Sequence, residues 1–416
     1  MPQPKKRTKK KRVLDLQHLR IYILTLIVLV LVIVVIIINL KQKTSFVAYE
    51  NNFEELKEEK KDNAENNNLL KTKEKDKETK VLSFEKYVPY SEGHVYYVDV
   101  SDYDNDGDVD FAVANYNRQN YIFMNDKGAF EKNAQFGSGY TNALKWADFN
   151  NDGLMDLVAV RFNQQSSVYI NNGDGSFTEY KLFKKSYSKA VAVADFNNDG
   201  YLDIVVGNDM QPTELYINDK NLGFDYNKID KGNLHVTVIV ACDFDNDGWP
   251  DLAIGTDFQK NYLYINNKDG TFTPTVQFSE GMHTLSMACA DFNNDGLLDL
   301  AEGNNNQASN IDKNYLYLNR GNFDFEGTPQ FGESRAFGMA AEDFNNDGWL
   351  DLAVGNYDQQ SYIYLNNKNG TFTAVPQFRV DYVHDIKVAD LDNDKDIDVV
   401  MALDKNGVVV YYNKMR

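Results

Sequence analysis

Residues 190–208, AVAVADFNNDGYLDIVVGN, set two apolar runs on either side of a tight acidic loop. Each run is too short for a helix, and Asn, Asp and Gly separate them, which reads as two antiparallel strands joined by a turn. The stretch recurs. The pattern D-x-[DN]-x-D-G-x-x-D begins at Asp102, Asp148, Asp195, Asp243, Asp291, Asp343 and Asp390, at spacings of 46 to 52 residues. From residue 81 to the end there are 336 residues, or 48 for each of the seven copies. After the quoted stretch come TELYIN (213–218) and LGFDYNKI (222–229), two more short strands. Four short antiparallel strands per repeat of this length predict an all-β, seven-bladed β-propeller of four-stranded blades. The last repeat ends at VVVYYN (408–413) and lacks a fourth strand, while VLSFEKYVPY (81–90) precedes the first loop. Strand 81–90 is therefore expected to complete the last blade and close the ring; an open solenoid is the alternative.

Outward from the repeats, the chain is strongly asymmetric in charge. The net charge is −19, yet residues 1–20 sum to +7, so the remainder carries −26. An acidic body without a basic stripe repels phosphates, which excludes nucleic-acid binding. Residues 21–40, IYILTLIVLVLVIVVIIINL, carry no charge, and at about 1.5 Å per residue they span a bilayer core of about 30 Å. Lys41, Gln42 and Lys43 follow without a small-residue cleavage site, so an uncleaved single transmembrane α-helix is expected in place of a signal peptide. The basic tail, 1–20, places the N-terminus in the cytoplasm and the rest outside it, in a periplasm or at a cell surface. Residues 41–80 hold ten Lys and ten acidic residues with no Gly or Pro, a charged stalk too poor in apolar groups to fold alone. The domains expected are thus a tail at 1–20, a span at 21–40, a stalk at 41–80 and the propeller at 81–416.

The acidic loops read DYDNDGDVD, DFNNDGLMD, DFNNDGYLD, DFDNDGWPD, DFNNDGLLD, DFNNDGWLD and DLDNDKDID. With these motifs residues 95–413 resemble the FG-GAP/VCBS repeat family, which also builds integrin alpha-subunit heads. The resemblance implies a calcium-binding propeller and leaves activity open. The residues carry the same chemistry by themselves, because a hard cation needs several oxygens converging from alternate positions of a tight loop. Position 1 is Asp102, Asp148, Asp195, Asp243, Asp291, Asp343 or Asp390, and position 3 is Asp104, Asn150, Asn197, Asp245, Asn293, Asn345 or Asp392. Position 5 is Asp106, Asp152, Asp199, Asp247, Asp295, Asp347 or Asp394, and position 9 is Asp110, Asp156, Asp203, Asp251, Asp299, Asp351 or Asp398. Up to seven Ca2+ ions are expected, which would bring the net charge from −19 to −5. Position 6 is Gly in six copies and Lys395 in the last, which counts against an ion at Asp390. Asx-turns that merely close the hairpins are the alternative.

Eight residues before each first Asp stand His94, Tyr140, Tyr187, His235, His283, Arg335 and Tyr382. This position opens the innermost strand, at the end of the blade away from the acidic loops. Gln164, Gln211, Gln259, Gln307 and Gln359 share one position in the loops nearby. Three readings stand: a structural plug, a recognition surface for a glycan or protein, and a catalytic set of acid, base and charge neutraliser. No Ser-His-Asp spacing, phosphate loop or zinc-type cluster appears. Cys242 and Cys289 lie just before two adjacent acidic loops and are expected as buried free thiols, a cross-link between blades being the alternative. The function expected is a membrane-anchored, calcium-stabilised binding, adhesion or scaffold module for a glycan or protein partner, and not an enzyme. The alternative is a polysaccharide-lyase-like enzyme using the His/Tyr/Arg ring.

Overall fold

The computed structural model describes residues 82–415 apart from 91, 182, 280–282, 306–312, 333 and 381; the tail, the apolar segment 21–40 and the stalk lie outside them. Among the described residues every helix or strand is a strand, and no helix is long and apolar enough to cross a membrane. In chain order the strands are β1 (Phe84–Tyr90), β2 (Val95–Ser101), β3 (Asp110–Asp126), β4 (Ala129–Ala147), β5 (Asp156–Gln165), β6 (Ser167–Asn171) and β7 (Phe177–Tyr180). Then follow β8 (Lys185–Ala194), β9 (Asp203–Asn208), β10 (Glu214–Asn218), β11 (Phe224–Lys228), β12 (Val236–Cys242), β13 (Asp251–Thr256), β14 (Asn261–Asn266) and β15 (Phe272–Phe278). The rest are β16 (Thr284–Ala290), β17 (Asp299–Asn304), β18 (Tyr315–Asn319), β19 (Phe325–Pro329), β20 (Ala336–Glu342), β21 (Asp351–Asn356), β22 (Ser361–Asn366), β23 (Phe372–Phe378), β24 (Val383–Ala389), β25 (Asp398–Leu403) and β26 (Gly407–Asn413).

Four-stranded antiparallel sheets recur: β12 to β15, β16 to β19, β20 to β23, and β24-β25-β26 with β1 beside β26. In that last sheet Phe84 pairs with Asn413 and Tyr87 with Val410. The first three repeats join into one ten-stranded network, because β4 runs on from the first repeat into the second and β5 pairs with β8 of the third. The early residues of β4 pair with β3 (Phe130 with Asn125), and its late residues pair with β5 (Trp146 with Leu157).

Local sequence explains the layering. The second strand of a repeat, such as DLAIGT or DLAVGN, is buried at all six positions in β13 and β21, as a strand covered on both faces must be. Outer strands are more open: in β11, FDYNK, Asp225, Asn227 and Lys228 face solvent while Phe224 and Tyr226 are half-buried. At loop position 2, Tyr103, Phe149, Phe196, Phe244, Phe292, Phe344 and Leu391 are at most 2% exposed. Each aromatic peg is worth roughly 2–3 kcal/mol of burial, so the acidic loops are pinned from beneath.

The core lies between sheets. One apolar cluster joins Phe149 and Val158 of the second repeat to Val191 and Ile204 of the third. Another joins Val98 and Phe111 of the first repeat to Val400 and Val410 of the last. The seam is tight: a Cβ added to Gly355 would stand 2.5 Å from Val383 Cγ1. The first strands β2, β4, β8, β12, β16, β20 and β24 touch in that order, and β24 touches β2. Val98 N donates to Asp385 Oδ2 at 3.2 Å across that last junction.

Where β12 meets β16, Cys242 and Cys289 form a disulfide, which corrects the expectation of free thiols. The two stand one and two residues before their loops, and this opposite parity turns both toward the shared seam. A cross-link closing a loop of 47 residues restricts the unfolded chain by about 4 kcal/mol in the chain-entropy account.

Candidate functional site

The acidic loops share one hydrogen-bond plan. In the third repeat Asp199 N and Gly200 N donate to the two oxygens of Asp195, at 3.0 and 2.7 Å. Gly200 takes φ +89°, the left-handed turn that glycine makes without strain. Asp203 is fully buried and accepts from Phe196 N at 2.9 Å and Asn218 N at 2.8 Å. Position 9 therefore frames the loop with both its oxygens, in addition to any ion it holds.

Two neighbouring asparagines were not singled out in the sequence. Asn218, at the end of the third strand, donates its Nδ2 to Phe149 O of the preceding repeat at 2.8 Å. Asn125, Asn171, Asn266, Asn319, Asn366 and Asn413 do the same, and Asn125 of the first repeat reaches Leu391 O of the last at 2.8 Å. The signal was present, since an Asn follows position 9 by fifteen residues in all but one repeat. At loop position 4, Asn198, with φ +52°, donates to Gly248 O of the next loop at 3.0 Å, and Asn246 donates to Gly296 O at 2.7 Å. The loops are thus tied edge to edge along the face.

The donor set fits calcium. Asp102, Asp104 and Asp110 each offer an oxygen within 4.8 Å of the others, as do Asp243, Asp245 and Asp251, and Asp390, Asp392 and Asp398. Burial, with nearby carboxylates adding, pushes Asp110, Asp203 and Asp251 up to about 7. A cation placed among these oxygens would relieve both effects. In the sixth loop Asn345 Oδ1 is buried and has no hydrogen-bond partner, as suits a ligand oxygen. All donors are carboxylate, amide or carbonyl oxygens, the set a hard cation prefers. In four loops position 3 is Asn, and in the second loop Asn150 Nδ2 donates to Asp152 Oδ2 at 2.9 Å. Lys395 in the last loop does not unfold it: with φ +74°, its N still donates to Asp390 Oδ2 at 2.9 Å.

At the other end of the strands lie the seven ring positions. Each meets a residue at the end of the second strand of the preceding repeat. His235 Nδ1 lies 2.6 Å from Asp209 Oδ1, His283 pairs with Asp257 at 3.4 Å, and His94 Nδ1 bonds Asp404 Oδ1. Arg335 Nε donates to Asn305 Oδ1 at 2.8 Å. Tyr140 packs against Tyr116, Tyr187 against Phe162 and Tyr382 against Tyr357, with ring centroids 4.9, 5.1 and 5.2 Å apart. These partners were missed because each contact joins different repeats. Their signal is a fixed offset: Tyr116, Phe162, Asp209, Asp257, Asn305, Tyr357 and Asp404 each stand 22 residues after a ring position.

Most ring residues stay near their own seams. A denser group forms where the last repeats meet the first: Tyr357 OH donates to Asp404 Oδ2 at 3.1 Å, the Arg335 guanidinium lies 5.1 Å from the Tyr357 ring, and His384 stacks on Tyr96 at 4.2 Å. Burial holds His384 down to about 4, so it stays a neutral ring at physiological pH. The glutamines serve the backbone. Gln211 Oε1 and Gln259 Oε1 accept from Tyr187 N and His235 N, both at 2.9 Å, and Gln164 Oε1 accepts from Tyr140 N at 3.3 Å. Gln359 is exposed, and Gln307 lies outside the described residues. Beside Tyr140, a cavity of about 370 Å³ is lined by Tyr116, Tyr140, Asn142, Phe162, Asn163 and Gln164.

The FG-GAP-like repeat matches residues 102–159, 148–206, 243–301, 304–354 and 343–401, so its windows fall on the acidic loops and the strands that flank them. The chain belongs to the FG-GAP-like repeat family. Among curated proteins none matches it. Among solved structures, this FG-GAP-like chain is similar to a crystal structure of BBS1N in complex with ARL6DN, soaked with lead. The TM-score is 0.57 at 12% identity, over 79% of this chain and 96% of the other. The same complex soaked with mercury matches with the same TM-score and identity, over 81% and 97%. At that identity the likeness concerns the fold, and it agrees with repeated four-stranded sheets in a propeller-like arrangement.

Proposed function

We propose that this FG-GAP-like chain is a calcium-stabilised, closed seven-bladed propeller that binds a protein partner through the ring face. It would stand outside the cytoplasm on the apolar helix 21–40 and the stalk 41–80. One observation carries the binding reading. Of the seven exposed large apolar side chains among the described residues, five lie on the ring face: Tyr116, Tyr187, Met210, Phe258 and Tyr382, with Phe258 65% exposed. Apolar and aromatic groups gathered on one face, with an Arg and carboxylates between them, have the composition of a protein contact surface. The crystallised BBS1N–ARL6DN pair supports a protein partner by fold analogy alone.

Closure into seven blades is supported by the apolar seam between the first and last repeats and by the Asn125 link to Leu391. Calcium is supported by the oxygen clusters on the opposite face. The compartment is supported by the disulfide, since such bonds persist where the surroundings oxidise, and by the basic tail before residue 21. A glycan is the second ligand class, favoured by the aromatic and amide lining of the cavity beside Tyr140. The enzyme reading has less support, because His94, His235, His283 and Arg335 are each held by a neighbour at a separate seam.

Phe258→Ser combined with Met210→Ser should leave the melting temperature within about 2 °C, because exposed side chains carry little folding energy. The same pair should weaken partner binding by roughly ten- to a hundredfold. Titrating partner onto both proteins checks this, and unchanged affinity would move the interface elsewhere. Protease added outside intact cells should degrade the chain beyond about residue 40 and spare the basic tail. A soluble product beginning near residue 41 would mean a cleaved signal.

A further inference from the structure

We propose that the last acidic loop holds no metal ion and that the ammonium of Lys414 stands where an ion would bridge its carboxylates. The inference rests on the calcium reading of the other loops. Lys414 Nζ bonds Asp392 Oδ2 at loop position 3 and lies 3.1 Å from Asp394 Oδ2 at position 5. It therefore bridges two carboxylates that an ion would need. Asp390, Asp392 and Asp398 gather as closely as the carboxylates of the first and fourth loops, and Asp392 Oδ1 is left buried without a partner while Oδ2 takes the ammonium. No other described lysine does this: Lys220, Lys268 and Lys368 reach only the position-5 carboxylates Asp199, Asp247 and Asp347, at 3.4, 2.8 and 3.1 Å.

The backbone sets Lys414 in place. It follows Asn413, whose N donates to Asp398 Oδ1 at 2.7 Å, and its own N donates to Ser83 O at 2.6 Å. In the other repeats the residue after this Asn is Asp126, Asn172, Asp219, Asn267, Arg320 or Asn367. Arg320, the one other cation, turns away to Glu326 at 2.7 Å. The substitution at loop position 6 fits the same picture, because Lys395 brings a second ammonium to this loop alone. A tethered cation has a mechanical consequence. The last sheet contains β1 as well as β26, so it joins the two ends of the folded unit, and its loop would keep its cross-link when calcium falls.

The test counts bound calcium on the full chain, by equilibrium dialysis and elemental analysis. Asp243→Ala should bind one ion fewer than the wild type, and Asp390→Ala the same number. Lys414→Met should bind one ion more, because Asp392 and Asp394 are released, and Lys414→Arg should bind as the wild type does. The proposal is overturned if Asp390→Ala loses an ion or if Lys414→Met gains none while melting as a folded protein. If Asp243→Ala also leaves the count unchanged, the calcium reading itself fails, and this inference with it.

Discussion

Excess chelator should lower the melting temperature of the full chain by about 20 °C. An ion present at about a hundred times its dissociation constant stabilises the folded state by about 2.7 kcal/mol at each site. Six such loops would supply on the order of 15 kcal/mol. Unfolding entropy of about 2.1 cal/mol/K per residue converts that sum, over a unit of this size, into roughly 20 °C. The sign follows from the loops themselves: in the first and fourth, three carboxylates gather within 4.8 Å and repel one another, and only Asp110 and Asp251 of them are buried. Differential scanning calorimetry with calcium and then with chelator makes the measurement. A shift under about 3 °C would mean that the loops are Asx-turns needing no ion.

Asp203→Ala should destabilise the chain by about 3–5 kcal/mol, more than loss of any exposed loop carboxylate. The side chain is fully buried and accepts from both Phe196 N and Asn218 N, so its removal strands two buried donors at about 1–3 kcal/mol each. Asn218 would also lose the anchor for its own bond to Phe149 O of the neighbouring repeat. The damage should therefore reach two repeats, and hydrogen exchange should speed up in β9 and in the strands beside Phe149. Part of the cost should survive in chelator, since these bonds need no ion. Denaturant melts of Asp203→Ala and Asp195→Ala, with and without calcium, separate the two roles; equal costs that vanish together in chelator would contradict this account.

Strand order and the acidic loops were legible in the sequence because they repeat with a short internal period. Apolar runs such as DLAVGN and the Asp-Gly turn before them specify a hairpin without any distant contact. What joins the repeats was not legible in the same way. The bond from Asn218 to Phe149 spans 69 residues, and His235 meets Asp209 across a seam between sheets. Both involve residues that recur at fixed offsets, but recurrence alone does not say which neighbour is touched. The last loop shows the same limit. Lys395 is visible within the motif, whereas Lys414 reaches Asp392 only because β26 folds back past the loop. The cysteines differ again: their parity was readable, but whether the sulfurs met depended on how closely β12 and β16 approach.

A partner docked on the ring face should leave the acidic-loop face free. Lysine-directed cross-linking of the full chain in its native membrane, read by mass spectrometry, tests it most directly. Lys189, Lys260 and Lys405 lie on or beside the ring face, and Lys127, Lys220, Lys268 and Lys368 beside the acidic loops. Partner cross-links should fall on the first set and disappear in the Phe258→Ser, Met210→Ser protein. Partner cross-links confined to the second set would contradict the account.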